Sequence, residues 1–480
     1  MANELLIFIP TYNERENVPG ILRQILDLGL STDILFVDDN SPDGTGELLE
    51  KLAKETPNVI VHHRPGKMGI GSAHVYGINW AYAQGYRKLI TMDCDFTHSP
   101  EYIKDLLLKA DAADVVVGSR FLQEKSIATW NLYRKFLTNF GHLLTRFFLK
   151  MPYDATGAFR LYRLDRIPRN FLNPVLSRSY SFFFESLYIL HFNGLRITEV
   201  PTHLPARVYG HSKMGMKDIC QSVFLLVIIY FTTLLNRERL EIAEPFVPSG
   251  NSAALPDPQG WIDYWAGKSK PTLLVYDLIA AFYRKFIIRP SLNHYILKYF
   301  NADSRLLHAG CGSGQVDKDI GEKIAISALD ISPEALTIYK KANKRYRELI
   351  HGSIFAMPAM EASFDGIYNL GVMEHFTEKE ISSILDEFNR VLKPGGRIVL
   401  FWLPEFGLSV MFLKFVHFVL NRVLKKNIEL HPPEITRVRT RRQIHAYLEG
   451  SGFTLVEYRF GARDLFTHVI VVGEKTGGQL

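Results

Sequence analysis

The stretch Leu89–Ile103, LITMDCDFTHSPEYI, decides how the first half of this chain is read. An apolar run, Leu89–Met92, stops at two aspartates one residue apart. A short apolar run bounded by polar residues reads as a buried strand. In open α/β sheets ligands gather beyond the carboxyl ends of the strands. Residues i and i+2 of a strand point the same way, so strand geometry carried through Asp93 and Asp95 would bring their carboxylates together. Two carboxylates at that spacing suit a hard divalent cation, Mg²⁺ or Mn²⁺, shared with substrate phosphates.

The same pattern recurs outward from this point. Apolar runs at Leu5–Ile9, Ile34–Val37, Val59–Val61 and Val115–Val117 alternate with helix-like stretches. The first two run into Pro10-Thr11-Tyr12-Asn13-Glu14 and Asp38-Asp39-Asn40-Ser41-Pro42-Asp43-Gly44-Thr45. Residues 241–260, EIAEPFVPSGNSAALPDPQG, break every period and have linker composition. After them the alternation restarts at Arg305–Ala309, Ala325–Leu329, Phe364–Leu370, Arg397–Trp402 and His468–Val472. The expected architecture is α/β with two domains, 1–240 and 261–480, joined by 241–260, each around a largely parallel sheet.

Composition agrees. The chain of 480 residues is 47% hydrophobic and 22% charged, which excludes wholesale disorder and a polytopic membrane protein. Cys94, Cys220 and Cys311 lie too far apart in sequence for a disulfide framework or a Cys-rich zinc site, so a reducing compartment is expected. The formal charge of +6 is a small imbalance and points to no nucleic-acid partner. Met1–Pro10 reads as a first strand, not a targeting segment. Val223–Leu235 is uncharged and leaves three readings open: a helix at a membrane interface, a core helix, or a span.

Six motifs then occur in order: IPTYNERENV (Ile9–Val18), VDDNSPDGT (Val37–Thr45), MDCDFTHSPEYI (Met92–Ile103), VVGSRF (Val116–Phe121), DATGAFRLYR (Asp154–Arg163) and VPTHLPARVYGHSK (Val200–Lys213). Over about residues 3–236 they resemble family-2 glycosyltransferases of the GT-A fold, a Rossmann-like mixed sheet, and within them the dolichol- or polyprenol-phosphate mannose synthases. The resemblance implies mannose transfer from GDP-mannose to a polyprenyl (dolichyl-type) phosphate. Pro10, Tyr12, Glu14, Val37, Asp39 and Cys94 would serve the nucleotide. Asp93 and Asp95, with Thr97 beside them, would hold the metal. Arg120, Arg207 and Lys213 would meet phosphates. Cys94 stands where the family often has Ala, and Thr97 where some members have Gln or Ser.

A phosphomonoester acceptor is already anionic near neutral pH and needs no catalytic base, unlike a sugar hydroxyl. His63 and His98 are accordingly read as structural. Arg134, with Thr138 one turn later, would present a guanidinium and a hydroxyl to that phosphate. Trp130, Tyr133, Phe136, Leu137, Phe140, Leu143, Leu144, Phe147 and Phe148 recur at helical spacing among basic residues, which suits contact with a membrane surface as well as with a core. The expected location is the cytoplasmic face of the membrane, peripheral or monotopic.

In the second half LLHAGCGSGQVDKDI (Leu306–Ile320) runs from a strand into a glycine loop. ALDISPEAL (Ala328–Leu336), GSIFAMP (Gly352–Pro358), FDGIYNLGVMEHF (Phe364–Phe376) and LKPGGRIVLF (Leu392–Phe401) follow. Together they resemble class I S-adenosylmethionine-dependent methyltransferases, a Rossmann-like fold, over about 261–480. Gly310, Gly312 and Gly314 would face the methionine part of the donor, Asp330 the ribose, Ser353 and Ile354 the adenine, with Asn369 beside them. His308 occupies a position that is usually acidic in that family. His375 is a candidate base, and Phe406–Lys426 a lid or a membrane-facing helix.

The whole reads as a glycosyltransferase fused to a methyltransferase of a sugar or lipid-linked glycan. Two alternatives are a transferase for glucose or another hexose, and a membrane-associated scaffold whose methyltransferase domain does not turn over.

Overall fold

The computed structural model describes residues 4–123, 130, 132–204, 215–242, 260–265, 274–423, 425 and 432–476. The side chains of residues 133, 134, 274, 275, 419, 420 and 423 lie outside that description. The chain forms two compact units, Met1–Ile242 and Ala243–Leu480. Most of the 241–260 stretch, and with it most of the expected linker, lies outside the described residues.

In the first unit the strands are β1 (Leu5–Thr11), β2 (Asp33–Asp38), β3 (Val59–His63), β4 (Lys88–Thr91), β5 (Val115–Ser119), β6 (Arg160–Arg163) and β7 (Ile197–Pro201), in the order β3-β2-β1-β4-β6-β5-β7. All seven residues of β1 are buried, because both faces of the sheet are covered. On one face Ile7 and Ile9 meet Val18, Ile21, Leu22 and Ile25 of helix Val18–Leu26, a set with i, i+3, i+4, i+7 spacing. Each such side chain contributes about 1.5–3 kcal/mol on leaving water. On the other face Phe8 reaches helix Ile70–Gln84, where a Cβ on Gly77 would meet its ring at 2.5 Å.

The second unit has β8 (Leu306–Ala309), β9 (Ile326–Asp330), β10 (Glu348–His351), β11 (Phe364–Leu370), β12 (Leu392–Trp402), β13 (Phe453–Arg459) and β14 (Val469–Lys475), ordered β10-β9-β8-β11-β12-β14-β13. Helix Glu378–Val391 shows why its segment folds as it does. Thr377 and Glu380 form a reciprocal capping box, and Ile381, Ile384, Leu385 and Phe388 bury one stripe.

Residue patterning alone implies largely parallel sheets, whereas the glycosyltransferase resemblance implies a mixed one, and both sheets are mixed. β6 runs antiparallel to both β4 and β5, and β14 runs antiparallel to both β12 and β13. β6 (RLYR) carries two arginines and does not read as buried, yet all four of its residues are. Arg160 is accommodated by donating to the carbonyls of Ala155 and Phe183, both at 2.8 Å.

In each sheet the first strand, β1 or β8, has parallel neighbours on both sides that leave by opposite crossovers. That switch point opens a crevice at the strand ends.

Helix Met216–Leu235 extends the apolar Val223–Leu235 stretch to 20 residues. Among the described residues it alone is long and apolar enough to cross a membrane by length and composition. Leu225, Leu226, Ile228, Ile229 and Thr232 are buried, while Val223, Phe224, Phe231 and Leu234 are exposed.

Candidate active sites

The crevice of the first unit is a cleft of about 1120 Å³. It is lined by Pro10, Tyr12 and Glu14 after β1, Asp39 after β2, and Asp93, Cys94, Asp95 and Thr97 after β4, together with Arg120 after β5. Val37 is not among its lining residues; it is fully buried in β2, paired in register with Pro10.

The two aspartates reach the cleft by a different route from the one strand alternation implies. β4 ends at Thr91, so both sit in a turn, and Phe96 within it holds a left-handed φ of 60°. That turn is tied down on each side. The Asp93 amide donates to His98 Nδ1 at 3.0 Å, and His98 stacks on Phe159. The Thr97 hydroxyl and amide both donate to Asp95 Oδ1, at 2.5 and 3.2 Å. Thr97 therefore orients Asp95, and His98 orients the turn. His63 lies outside the cleft lining and bonds Glu50 at 3.0 Å.

Among the described residues no three His, Cys, Asp or Glu side chains cluster as a ready metal cage. A pair of hard carboxylates that leaves the remaining positions to phosphate oxygens and water is what Mg²⁺ accepts, so the donor set fits such an ion.

Two cleft residues are more constrained than sequence suggested. Arg64 clamps Asp39 bidentately at 2.6 and 2.7 Å, both side chains being over nine-tenths buried. Arg120 is fixed in the same manner by Asp154, with Nε to Oδ2 at 2.7 Å and Nη2 to Oδ1 at 3.0 Å. Burial opposes the charge on Asp154, but the adjoining guanidinium outweighs it and holds the carboxyl below its usual range. Neither clamp was legible, since the partners are 25 and 34 residues apart and no periodic signal joins them.

Thr138 lines the cleft. The side chain of Arg134 and all of Arg207 and Lys213 lie outside the described residues. The far wall is apolar: Leu137, Phe140 and Leu144 of helix Leu132–Leu149 face Ile219, Val223 and Leu226 of Met216–Leu235. Outward, Phe136, Leu143 and Phe147 are exposed.

In the second unit a cavity of about 240 Å³ is lined by Gly310, Gly312, Gly314, Asp330, Ser353 and Ile354, with His308, Trp265 and Arg284. The three glycines have φ of 72°, 51° and 58°, and a Cβ on Gly314 would collide with the Tyr339 ring. Asp330, at the end of β9, accepts from the Gly312 amide at 2.8 Å and thereby ties the loop to its neighbouring strand. Burial raises the Asp330 carboxyl above its usual value. Asn369 is not in the lining but precedes Leu370 and Gly371, which are; it is fully buried, and among the described residues neither of its side-chain amide atoms has a hydrogen-bond partner. His375 is buried, with Nδ1 on the Pro433 carbonyl at 2.9 Å and its ring against Trp261.

Sequence reading missed Trp261 and Trp265. Trp265 lies so close to Gly312 that a Cβ there would meet its ring at 2.8 Å. The WIDYW cluster was the signal available.

Two strand-end crevices on two mixed α/β sheets are the frame of a two-domain α/β enzyme, and comparison with known proteins makes these a glycosyltransferase domain followed by a methyltransferase domain. The family model for glycosyl transferase family 2 matches residues 6–169, and that for a methyltransferase domain matches 307–400. The polyprenol monophosphomannose synthase of Mycolicibacterium smegmatis is 37% identical over 222 residues, covering 46% of this chain and 84% of that protein. The undecaprenyl-phosphate mannosyltransferase of Micrococcus luteus is 38% identical over 212 residues, covering 44% and 87%. A magnesium protoporphyrin IX methyltransferase from Synechocystis PCC 6803 superimposes at 15% identity and a TM-score of 0.32, covering 47% of this chain and 100% of that one. The chain belongs, through its first unit, to the family-2 glycosyl transferases, and it carries a methyltransferase domain in addition.

Proposed function

We propose that the first unit transfers mannose from GDP-mannose to a polyprenyl phosphate, with inversion, at the cytoplasmic face of a membrane. The carrying observation is the cleft's division: carboxylates and the clamped Arg120 at the strand ends, and an apolar wall between two helices whose outer faces are bare. A nucleotide diphosphate suits the first part and a prenyl chain the second. The names of the two relatives support mannose as the sugar and a polyprenyl phosphate as its acceptor.

In this reading Pro10, Tyr12, Glu14 and Asp39 seat the nucleotide, with Lys67 4.7 Å over the Tyr12 ring. Asp93 and Asp95 would hold Mg²⁺ or Mn²⁺, which supplies Lewis-acid charge to a departing diphosphate. Arg120, immobilised by Asp154, places a guanidinium beside the transferred group without reorganisation. Arg134, Thr138, Arg207 and Lys213 are proposed for the acceptor phosphate. That phosphate attacks as an anion, so positioning supplies the acceleration and no base is required.

The second unit we read as an S-adenosylmethionine-dependent methyltransferase of a sugar or lipid-linked glycan from the same pathway. The glycine loop, Asp330, Ser353 and Ile354 lining one cavity fit such a donor. The covalent tether raises the effective concentration of one product at the other site.

The test supplies membranes and full-length protein with competing labelled nucleotide sugars and a labelled methyl donor. Mannose from GDP-mannose in a phosphate-linked lipid supports the first reading; preferential transfer of glucose or another hexose overturns the sugar assignment. Methyl label absent from the lipid fraction removes the shared-pathway reading.

A further inference from the structure

The methyltransferase unit carries an apolar face that neither site explains. Helix Leu408–His417 leaves Leu408, Met411, Phe412 and Phe415 exposed, and Phe406 and Phe418 continue the run at either end. Two distant segments join it. The Leu408 amide donates to the Phe466 carbonyl at 3.2 Å, and the Ser409 hydroxyl donates to that of Thr467 at 2.9 Å. This brings exposed Phe460, Leu465 and Phe466 alongside. Arg284–Ile288 packs next to Ala462–Asp464 and adds Phe282 and Phe286, both about half exposed. Contiguous apolar surface from three chain segments marks an interaction face.

Its chemistry distinguishes among occupants. Residues 406–423 contain Lys414 and Arg422 and no acidic residue, and Lys285, Arg459 and Arg463 border the other two segments. Asp464 is buried, bonded to Thr467 and the His468 amide. Leu465 and Phe466 both hold left-handed φ, 56° and 55°, a conformation costly for bulky side chains. The cost is borne where two exposed apolar side chains are presented beside the start of helix Leu408–His417. A basic rim around aromatic and aliphatic side chains matches an anionic bilayer surface. With its π-helical continuation Phe418–Val423 the described helical run has sixteen residues (ten and six), short of the about 20 needed to span.

We infer that this face seats the methyltransferase unit in the headgroup layer of an anionic membrane, with helix Leu408–His417 lying in the interface plane. The inference rests on this unit's own residues and not on the membrane reading of the first unit. It has a consequence for the acceptor. Arg284 lines the donor cavity and hydrogen-bonds Gln315, while Phe282 and Phe286 on the same segment face outward. The cavity wall and the membrane face are thus one element, which suits an amphiphilic methyl acceptor.

The experiment uses the full chain with Cys220→Ser, leaving only buried cysteines, and Met411→Cys carrying a bimane label. Brominated phosphatidylcholine vesicles with phosphatidylglycerol should quench the label. Partition to them should be about tenfold tighter than to pure phosphatidylcholine, and Lys414→Glu with Arg422→Glu should abolish that difference. A second label at Phe231→Cys reports the first unit separately. Quenching at 231 with none at 411 overturns the inference while sparing the first unit's reading. A blue shift at 411 without lipid also overturns it, assigning the face to a second copy if concentration-dependent and to this chain's own first unit if not.

Discussion

His308 Nδ1 stands 2.6 Å from Asp317 Oδ2, with both side chains almost wholly buried beneath the glycine loop. That contact holds the ring of His308 in one orientation at the wall of the cavity that His308 helps to line. In the proposed methyltransferase reading, the histidine and Asp317 together stand in for the acidic residue usual at this position in the family that the second unit resembles. His308→Ala should weaken S-adenosylhomocysteine binding about tenfold by calorimetry, the worth of one charge-assisted hydrogen bond. Unchanged affinity in His308→Ala would remove His308 from the binding site.

Arg120 and Asp154 make a buried fork, and removing one partner strands the other. Asp154→Ala should cost about 3–5 kcal/mol of stability and lower the first unit's melting temperature. Arg120→Lys keeps the charge but cannot span both carboxylate oxygens. It should fold and lose about 100-fold or more in sugar transfer. Transfer at the parent rate would show that the fork serves the fold alone.

Changing Asp93 and Asp95 together to Asn should abolish sugar transfer with methyl transfer retained. Parent protein treated with a chelator should behave alike and recover on addition of Mn²⁺ or Mg²⁺. Transfer that persists in the double variant would refute the assignment of these carboxylates.

Glu374 gives a pH signature. Burial pushes its carboxyl up to about 8, and among the described residues its Oε2 has no hydrogen-bond partner. The folded state therefore holds this proton well above the unfolded value of 4.5. Its contribution is complete below about pH 4.5 and is lost as pH rises toward about 8. Glu374→Gln removes that dependence, so the variant's melting temperature relative to the parent should climb across the window. A constant difference would mean that Glu374 is already ionised in the fold.

Much of both sites was legible because strand ends announce themselves. Leu89–Met92 stops at Asp93, and Leu306–Ala309 stops at Gly310, and in each case the crevice lies where the apolar run ends. Other features were not. β6 and β10 are four residues long and polar enough to hide among loops. The helix Leu132–Leu149 reads as one apolar stripe, yet it divides into a cleft-facing row and an exposed row.

The sequence by itself determined two α/β units and the residues at each strand end, since these follow from local apolar periodicity and turn chemistry. Tertiary structure alone decided the partners. Asp39 receives Arg64, Arg120 receives Asp154 and His308 receives Asp317. These pairings depend on which strands lie side by side and on how the loops beyond them fold back. Periodicity reports which face of an element is buried, and carries nothing about the neighbour it is buried against.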